Sequence, residues 1–198
     1  MEIDYRAFAF VITLAGVING LGIVRVLSSF AEFLRDQGRH QIKNYWVFDL
    51  WASYQFLMHI LLWWSLWNMR HVEALNFGKY IYLLTGPIVL YLGTSLLAPT
   101  VDEEQVDLQA HFFQVRRAYF TILGLFWLWA IFSWPVLLDA IPPTISLLAV
   151  NFVIVTILRF TERPNVHAAL VIMAWTLLLL FVARFGMWLG EVGELTTR

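Results

Sequence analysis

Six long apolar runs follow one another through nearly the whole of this 198-residue chain. A helix needs about 20 apolar residues to cross the roughly 30 Å hydrocarbon core of a bilayer. The runs cover residues 7–30, 45–69, 80–98, 118–138, 144–160 and 166–189. We therefore predict an all-α, polytopic integral membrane protein. Its six transmembrane helices form a slim bundle, and residues 1–198 make a single transmembrane domain.

The composition agrees with a membrane protein and excludes several other classes. Hydrophobic residues make up 60% of the chain and charged residues 14%, whereas a soluble domain has about 45–50% and about 25%. The net charge of −1 leaves no basic surface for nucleic acid. With no cysteine, disulfides and Cys-ligated metals are excluded. The expected partner is the lipid bilayer, with no nucleic acid.

The longest connection between the runs precedes the fourth one. Acidic residues lie near its start, and Arg116 and Arg117 lie at its end. This order suits the dipole of a single helix, and the apolar residues between them suit the headgroup region. We predict a short interfacial helix over about 102–117.

The distribution of cations predicts the orientation. The first, third and fifth loops hold seven cations and the opposite side holds four. By the positive-inside rule the odd loops are cytoplasmic and both termini lie outside. The seven are Arg35, Arg39, Lys43, Arg116, Arg117, Arg159 and Arg163, and the four are Arg6, Arg70, Lys79 and Arg198.

Four ionisable residues are placed at membrane depth by their positions in the runs: Arg25, Asp49, His59 and Arg184. A charge that faces lipid at this depth costs at least about 2.5–3.5 kcal/mol, so each is expected to have a partner or to face water. By depth, Arg25 can pair with Asp49 in the inner half, and His59 with Arg184 in the outer half. The alternative for both arginines is that the head group extends to the interface.

Polar residues form a stripe on the second helix. At about 100° per residue, Asp49, Ser53, Gln55 and His59 lie within about 160° of arc. Such a stripe is typical of an ion or proton path. Because six helices in so short a chain make a slim bundle, a path between the protomers of a homo-oligomer is expected. The alternative is a non-catalytic scaffold or accessory subunit whose polar residues bond neighbouring helices.

Small residues and one proline indicate how the helices pack. Gly16 and Gly20, with Gly22, form a GxxxG pattern in the first run, and Gly186 and Gly190 form another in the sixth. Both patterns permit close helix approach. Pro87 removes a backbone hydrogen bond in the third run and predicts a kink there, either as a gate or as a static packing feature.

Metal and haem sites are weaker alternatives. Glu104, Asp107 and His111 recur at i, i+3 and i+7, so one helix face presents two carboxylates and an imidazole suited to Zn²⁺ or Mn²⁺. His59 is the one histidine deep in a run, so haem between two imidazoles requires a symmetric oligomer. The sequence contains neither H-E-x-x-H nor G-x-S-x-G. We predict no cofactor and do not favour an enzyme.

Three short patterns accompany the runs: G-L-G-x-x-R in the first, W-W-x-x-W in the second and Y-L-x-x-S-L-L-x-P in the third. Together they resemble small bacterial membrane proteins. The resemblance implies the bacterial cytoplasmic membrane and no particular activity.

Overall fold

The computed structural model describes residues 5–36, 41–67, 72, 76–99 and 105–186. Six α-helices account for most of this part, and a single turn of π-helix, Val182–Gly186, follows the last of them. The helices are α1 (Tyr5–Asp36), α2 (Trp46–Leu66), α3 (Phe77–Leu97), α4 (Leu108–Leu138), α5 (Ile145–Phe160) and α6 (Pro164–Phe181). The predicted helical fold is therefore confirmed.

Four helical segments are long and apolar enough to cross a membrane: Ala9–Glu32, Phe77–Leu97, Leu108–Leu138 and Pro164–Arg184. They indicate an integral membrane protein. The helices α2 and α5 are not among these four. The polar stripe lowers the mean hydropathy of α2, and α5 is short, with 16 residues.

Local signals explain several helix ends. Asn76 caps α3, because its Oδ1 accepts a hydrogen bond from the Lys79 backbone N–H at 2.9 Å. Pro164 begins α6, at a position where its missing N–H removes no helical bond. Asp139 ends α4 in the left-handed conformation, with φ of 51°.

The structure differs from the prediction around the interfacial segment. Residues 108–117 belong to the same helix as the fourth run, so there is no separate helix between 105 and 117. The reason is that Leu108–Ala118 contains neither glycine nor proline to end a helix. Residues 102–104 of the predicted segment lie outside the described residues.

A short parallel ladder joins the first and third loops. Strand β1 (Gln41–Lys43) pairs with strand β2 (Gln105–Asp107) in the register Lys43 to Asp107. The Lys43 Nζ donates to the Asp107 carboxylate at 2.8 Å. This bond, together with the N–H groups of Ala110 and Gln109, holds the pKa of Asp107 below its usual value of 3.8. Asp107 is therefore an ionised cap at the start of α4.

The main core lies between α2, α3, α4, α5 and α6. Aromatic rings meet edge to face around the buried Trp51, which contacts Tyr54, Tyr119 and Phe120 with centroids 5.1–6.2 Å apart. A smaller cluster joins α1 and α3 through Val11, Ala15 and Leu83. Large apolar side chains also cover the outside of α1 and α6, as expected for surfaces that face lipid.

Arg116 connects α4 to the α5–α6 loop. Its side chain is 8% exposed and pairs with the Glu162 carboxylate. It also donates to the backbone oxygens of Thr161 at 3.1 Å and Phe113 at 2.9 Å. Arg117 is 3.6 Å from the same carboxylate, but it is 73% exposed.

We expect Arg116→Ala to lower the free energy of unfolding by about 2–3 kcal/mol, because hydrogen bonds to a charged group are each worth about 1.5–3 kcal/mol. Arg117→Ala is the matched control and should cost less than about 1 kcal/mol, as an exposed ion pair does. Reversible unfolding in mixed micelles, followed by tryptophan fluorescence, measures both. Equal losses in the two variants would contradict the buried role of Arg116.

Candidate functional site

Polar side chains from four helices meet in the interior of the bundle. We call this set the polar junction; each of its members is at most 2% exposed. Its members are Asn19 of α1, Gln55 and His59 of α2, Thr94 of α3 and Tyr119 of α4. Buried polar groups are retained when each has a hydrogen-bond partner, and every member has at least one here.

His59 is held on both sides of its ring. Nδ1 lies 2.8 Å from Asn19 Oδ1, and Nε2 lies 2.8 Å from Thr94 Oγ1. Asn19 Nδ2 donates to the His59 backbone oxygen at 3.0 Å, so its Oδ1 is the atom that faces the ring. An amide oxygen only accepts, so Nδ1 carries a proton and the neutral ring accepts from Thr94 at Nε2.

Gln55 joins three helices. Its Nε2 donates to the Leu90 backbone oxygen at 2.9 Å and to Thr94 Oγ1 at 3.1 Å. Its Oε1 accepts from the Tyr119 hydroxyl at 3.1 Å. Gln55 therefore uses both amide protons and its carbonyl oxygen, and it links α2 to α3 and α4.

Two glycines leave space for these side chains. A Cβ atom on Gly22 would overlap the imidazole ring of His59. A Cβ atom on Gly93 would lie 3.3 Å from Gln55 Nε2. Close approach of α1 to α2 thus requires glycine opposite His59, and the contact of α3 with Gln55 at Gly93 is tight.

A cavity of about 550 Å³ lies beside the polar junction. It is bounded by the end of α1, the first half of α2 and the end of α3, with Trp175 of α6. Asp49, Ser53, Gln55 and Thr94 line it. His59 does not line it and is 0% exposed. The predicted stripe is therefore divided. Asp49, Ser53 and Gln55 line the cavity, whereas His59 is separated from it and bonds to Thr94, which lines it.

The predicted partners of the ionisable residues differ from the observed ones. In the described part of the chain, Arg25 and Asp49 form no ion pair within 4.0 Å; the pairs are those of Lys43, Arg116 and Arg117. His59 bonds to Asn19 and Thr94 through both ring nitrogens instead of pairing with Arg184. Arg184 lies on the π-helical turn and is exposed.

Of the three glycines predicted to permit close approach in α1, two make close contacts. Gly16 packs against Trp63 of α2, since a Cβ atom there would lie 2.5 Å from Trp63 Cζ3. Gly20 has open space around it, and Gly22 makes the second contact instead. Gly186 lies in the π-helical turn, and Gly190 lies outside the described residues.

Pro87 lies inside a helix that continues without interruption from Phe77 to Leu97. The preceding Gly86 packs against Trp129 of α4 so closely that a Cβ atom would overlap its indole ring. Trp129 Nε1 donates to the Tyr82 backbone oxygen at 2.8 Å, and the Tyr82 hydroxyl donates to the Trp129 backbone oxygen at 2.8 Å. The proline therefore lies next to a firmly packed contact between α3 and α4.

The proposed metal face is engaged in other contacts. Asp107 pairs with Lys43 and caps α4 through Oδ1, which accepts from Gln109 and Ala110. His111 Nε2 lies 3.2 Å from the Leu97 backbone oxygen. Glu104 lies outside the described residues. Among the residues that are described, no group of three potential ligands comes together.

Sequence reasoning missed three members of the polar junction: Asn19, Thr94 and Tyr119. All three are neutral at ordinary pH, so no charge distinguishes them within an apolar run. Asn19 had a usable signal, because an asparagine inside an apolar run needs a partner for its amide.

No known protein family, curated protein or solved structure matches this chain.

Proposed function

We propose that this protein transports a small ion across the bacterial cytoplasmic membrane and that the ion is H⁺. The observation that supports this proposal is the link between His59 and a cavity with polar groups in its wall. Asp49, Ser53 and Thr94 line the cavity, and Thr94 Oγ1 lies 2.8 Å from Nε2 of the buried His59. Histidine is the side chain whose charge changes most readily near neutral pH.

The polar junction accommodates both protonation states of His59. When the ring is neutral, the Thr94 hydroxyl donates to Nε2 and accepts from Gln55. When the ring is protonated, Nε2 donates to Thr94, whose hydroxyl proton then turns to the Leu90 backbone oxygen at 3.2 Å. Each group keeps a hydrogen bond in both states, so a single hydroxyl rotation accompanies the proton transfer.

The relay lies within one chain, so it operates without the homo-oligomer that the slim bundle led us to expect. The route opens to the cavity on one side of His59, and Asn19 and Gly22 cover the other side. Transport therefore requires a second arrangement in which α1 moves away from His59. Alternation between two arrangements is the usual way to move a solute past a fixed site.

The proposed topology has six transmembrane helices, with α2 and α5 completing the set. At 1.5 Å per residue, α5 spans about 24 Å, so it stands nearly upright or locally thins the bilayer. The odd loops are cytoplasmic and both termini lie outside. The cavity, at the ends of α1 and α3 and the start of α2, then opens near the cytoplasmic face.

Proton flux into liposomes tests the relay. Reconstituted protein should carry a pH-driven flux that Thr94→Val reduces about 100-fold, the scale of a positioned proton-transfer group. Thr94→Ser, which keeps the hydroxyl, should retain most of it. Asp49→Asn and His59→Ala should also reduce the flux. Valine matches threonine in shape, so the valine variant is expected to fold. The elution volume of the purified variant checks this. Equal flux through the valine and serine variants would exclude the relay.

A non-conducting scaffold or accessory subunit is the second candidate, and one observation favours it. His59 is fully buried, both ring nitrogens are bonded, and Gly22 is packed on its face. A purely structural junction predicts no flux at any pH. It also predicts that His59→Ala lowers stability and changes no transport.

A further inference from the structure

The cavity beside α2 has the features of a binding site for an organic molecule. Its volume of about 550 Å³ lies within the roughly 300–1,000 Å³ typical of small-molecule pockets. Most of its wall is apolar. Aromatic side chains contribute on three sides: Phe30 from α1, Phe48 and Phe56 from α2, and Trp175 from α6.

One charged group faces this apolar space. Among the described residues that line the cavity, Asp49 is the single ionisable one. The neutral side chain of Asn44 also lines the cavity. Within the described residues no lysine, arginine or histidine nitrogen lies within 4.0 Å of the carboxylate. A carboxylate in such a place favours a cation from outside the protein as its partner.

The aromatic walls point to the same ligand class. The faces of Phe and Trp rings carry negative electrostatic potential and attract cations, most strongly where water is excluded. The Ser29 hydroxyl also lines the cavity, and it has no hydrogen-bond partner in the part of the chain that the structure describes. A metal cation would require several oxygen ligands, whereas apolar and aromatic walls suit a cation that carries hydrophobic groups.

We infer that the cavity binds lipophilic organic monocations, with Asp49 as the counter-ion and the aromatic walls around the apolar substituents. This inference rests on the proposed function for its use, since such a cation would be the cargo exchanged for H⁺. Binding itself needs no flux. Asp49 is then the residue at which the cation and the proton compete.

Equilibrium binding of tetraphenylphosphonium to the purified protein in detergent tests the inference. We expect saturable binding of one ion per chain. Asp49→Asn should weaken it by about tenfold or more, as loss of a buried charge partner does. Tetraphenylborate, which has the same shape and the opposite charge, should bind without saturation. Phe56→Ala, which keeps the charge, should also weaken binding of the cation.

Asp139→Asn is the matched control, because Asp139 is an exposed acid outside the cavity and asparagine tolerates its left-handed backbone. It should leave binding unchanged. Equal binding of the two probe ions, unaltered by Asp49→Asn, would overturn the inference and assign the cavity to a lipid chain. Absence of saturable cation binding would also overturn it. A Thr94-dependent proton flux without cation binding refutes the inference alone, and cation binding without flux refutes the proton proposal alone.

Discussion

Gly22→Ala should destabilise the protein more than any other single methyl addition in α1. A Cβ atom at this position overlaps the His59 ring, and the ring cannot move aside because both of its nitrogens are bonded. Overpacking a well-packed interior costs about 1–3 kcal/mol and occasionally more. We expect a loss of about 3 kcal/mol, measured by reversible unfolding in mixed micelles.

Gly20→Ala is the control on the same helix. Apart from the neighbouring backbone of α1 itself, no atom lies within 4 Å of a Cβ atom built there, and alanine is favoured over glycine in a helix by about 1 kcal/mol. This variant should be as stable as the wild type or slightly more so. An equal loss of stability in the Gly20 and Gly22 variants would contradict this explanation. The cause would then not be overlap with His59.

Gln55→Leu should produce the second large loss. Leucine fills much of the same volume but removes the bonds to Leu90, Thr94 and Tyr119. A buried polar group left without a partner costs about 1–3 kcal/mol, and the Tyr119 hydroxyl loses the partner to which it donates. We expect a decrease of about 3 kcal/mol in the free energy of unfolding.

Tyr119→Phe completes a double-mutant cycle with Gln55→Leu. Phenylalanine alone leaves Gln55 Oε1 without its donor and should cost about 1–2 kcal/mol. In the double variant neither group of that pair remains, so the loss should fall short of the sum of the two single losses by about 1 kcal/mol. Additive losses would show that the 3.1 Å contact contributes nothing to stability.

The helices were predictable because hydropathy and length determine them. The second run, 45–69, corresponds to Trp46–Leu66, and the fifth, 144–160, corresponds to Ile145–Phe160. The sequence did not predict that the interfacial segment and the fourth run form one helix. Hydropathy changes between the two, but the backbone continues through both as α4. Hydropathy reports the environment of a segment, whereas a helix end requires a capping residue or a breaker.

The candidate site was predictable only along α2. Periodicity placed Gln55 and His59 on one side of that helix, and the structure buries both. Their partners lie on three other helices, at sequence separations of 35 to 64 residues. Periodicity within one helix carries no information about which residue of another helix faces it. The expected ion pair of Arg25 with Asp49 failed for this reason, since matching depth does not set rotation about the helix axis.

The β1–β2 ladder limits how the bundle can rearrange. It joins backbone segments that lie 64 residues apart, one before α2 and the other before α4. Helix pairs tied together at one end can separate most readily at the other, in the manner of a hinge. An excursion that preserves the ladder would therefore widen the side of the molecule away from the cavity, which is the side to which the proposed transport requires His59 to release a proton.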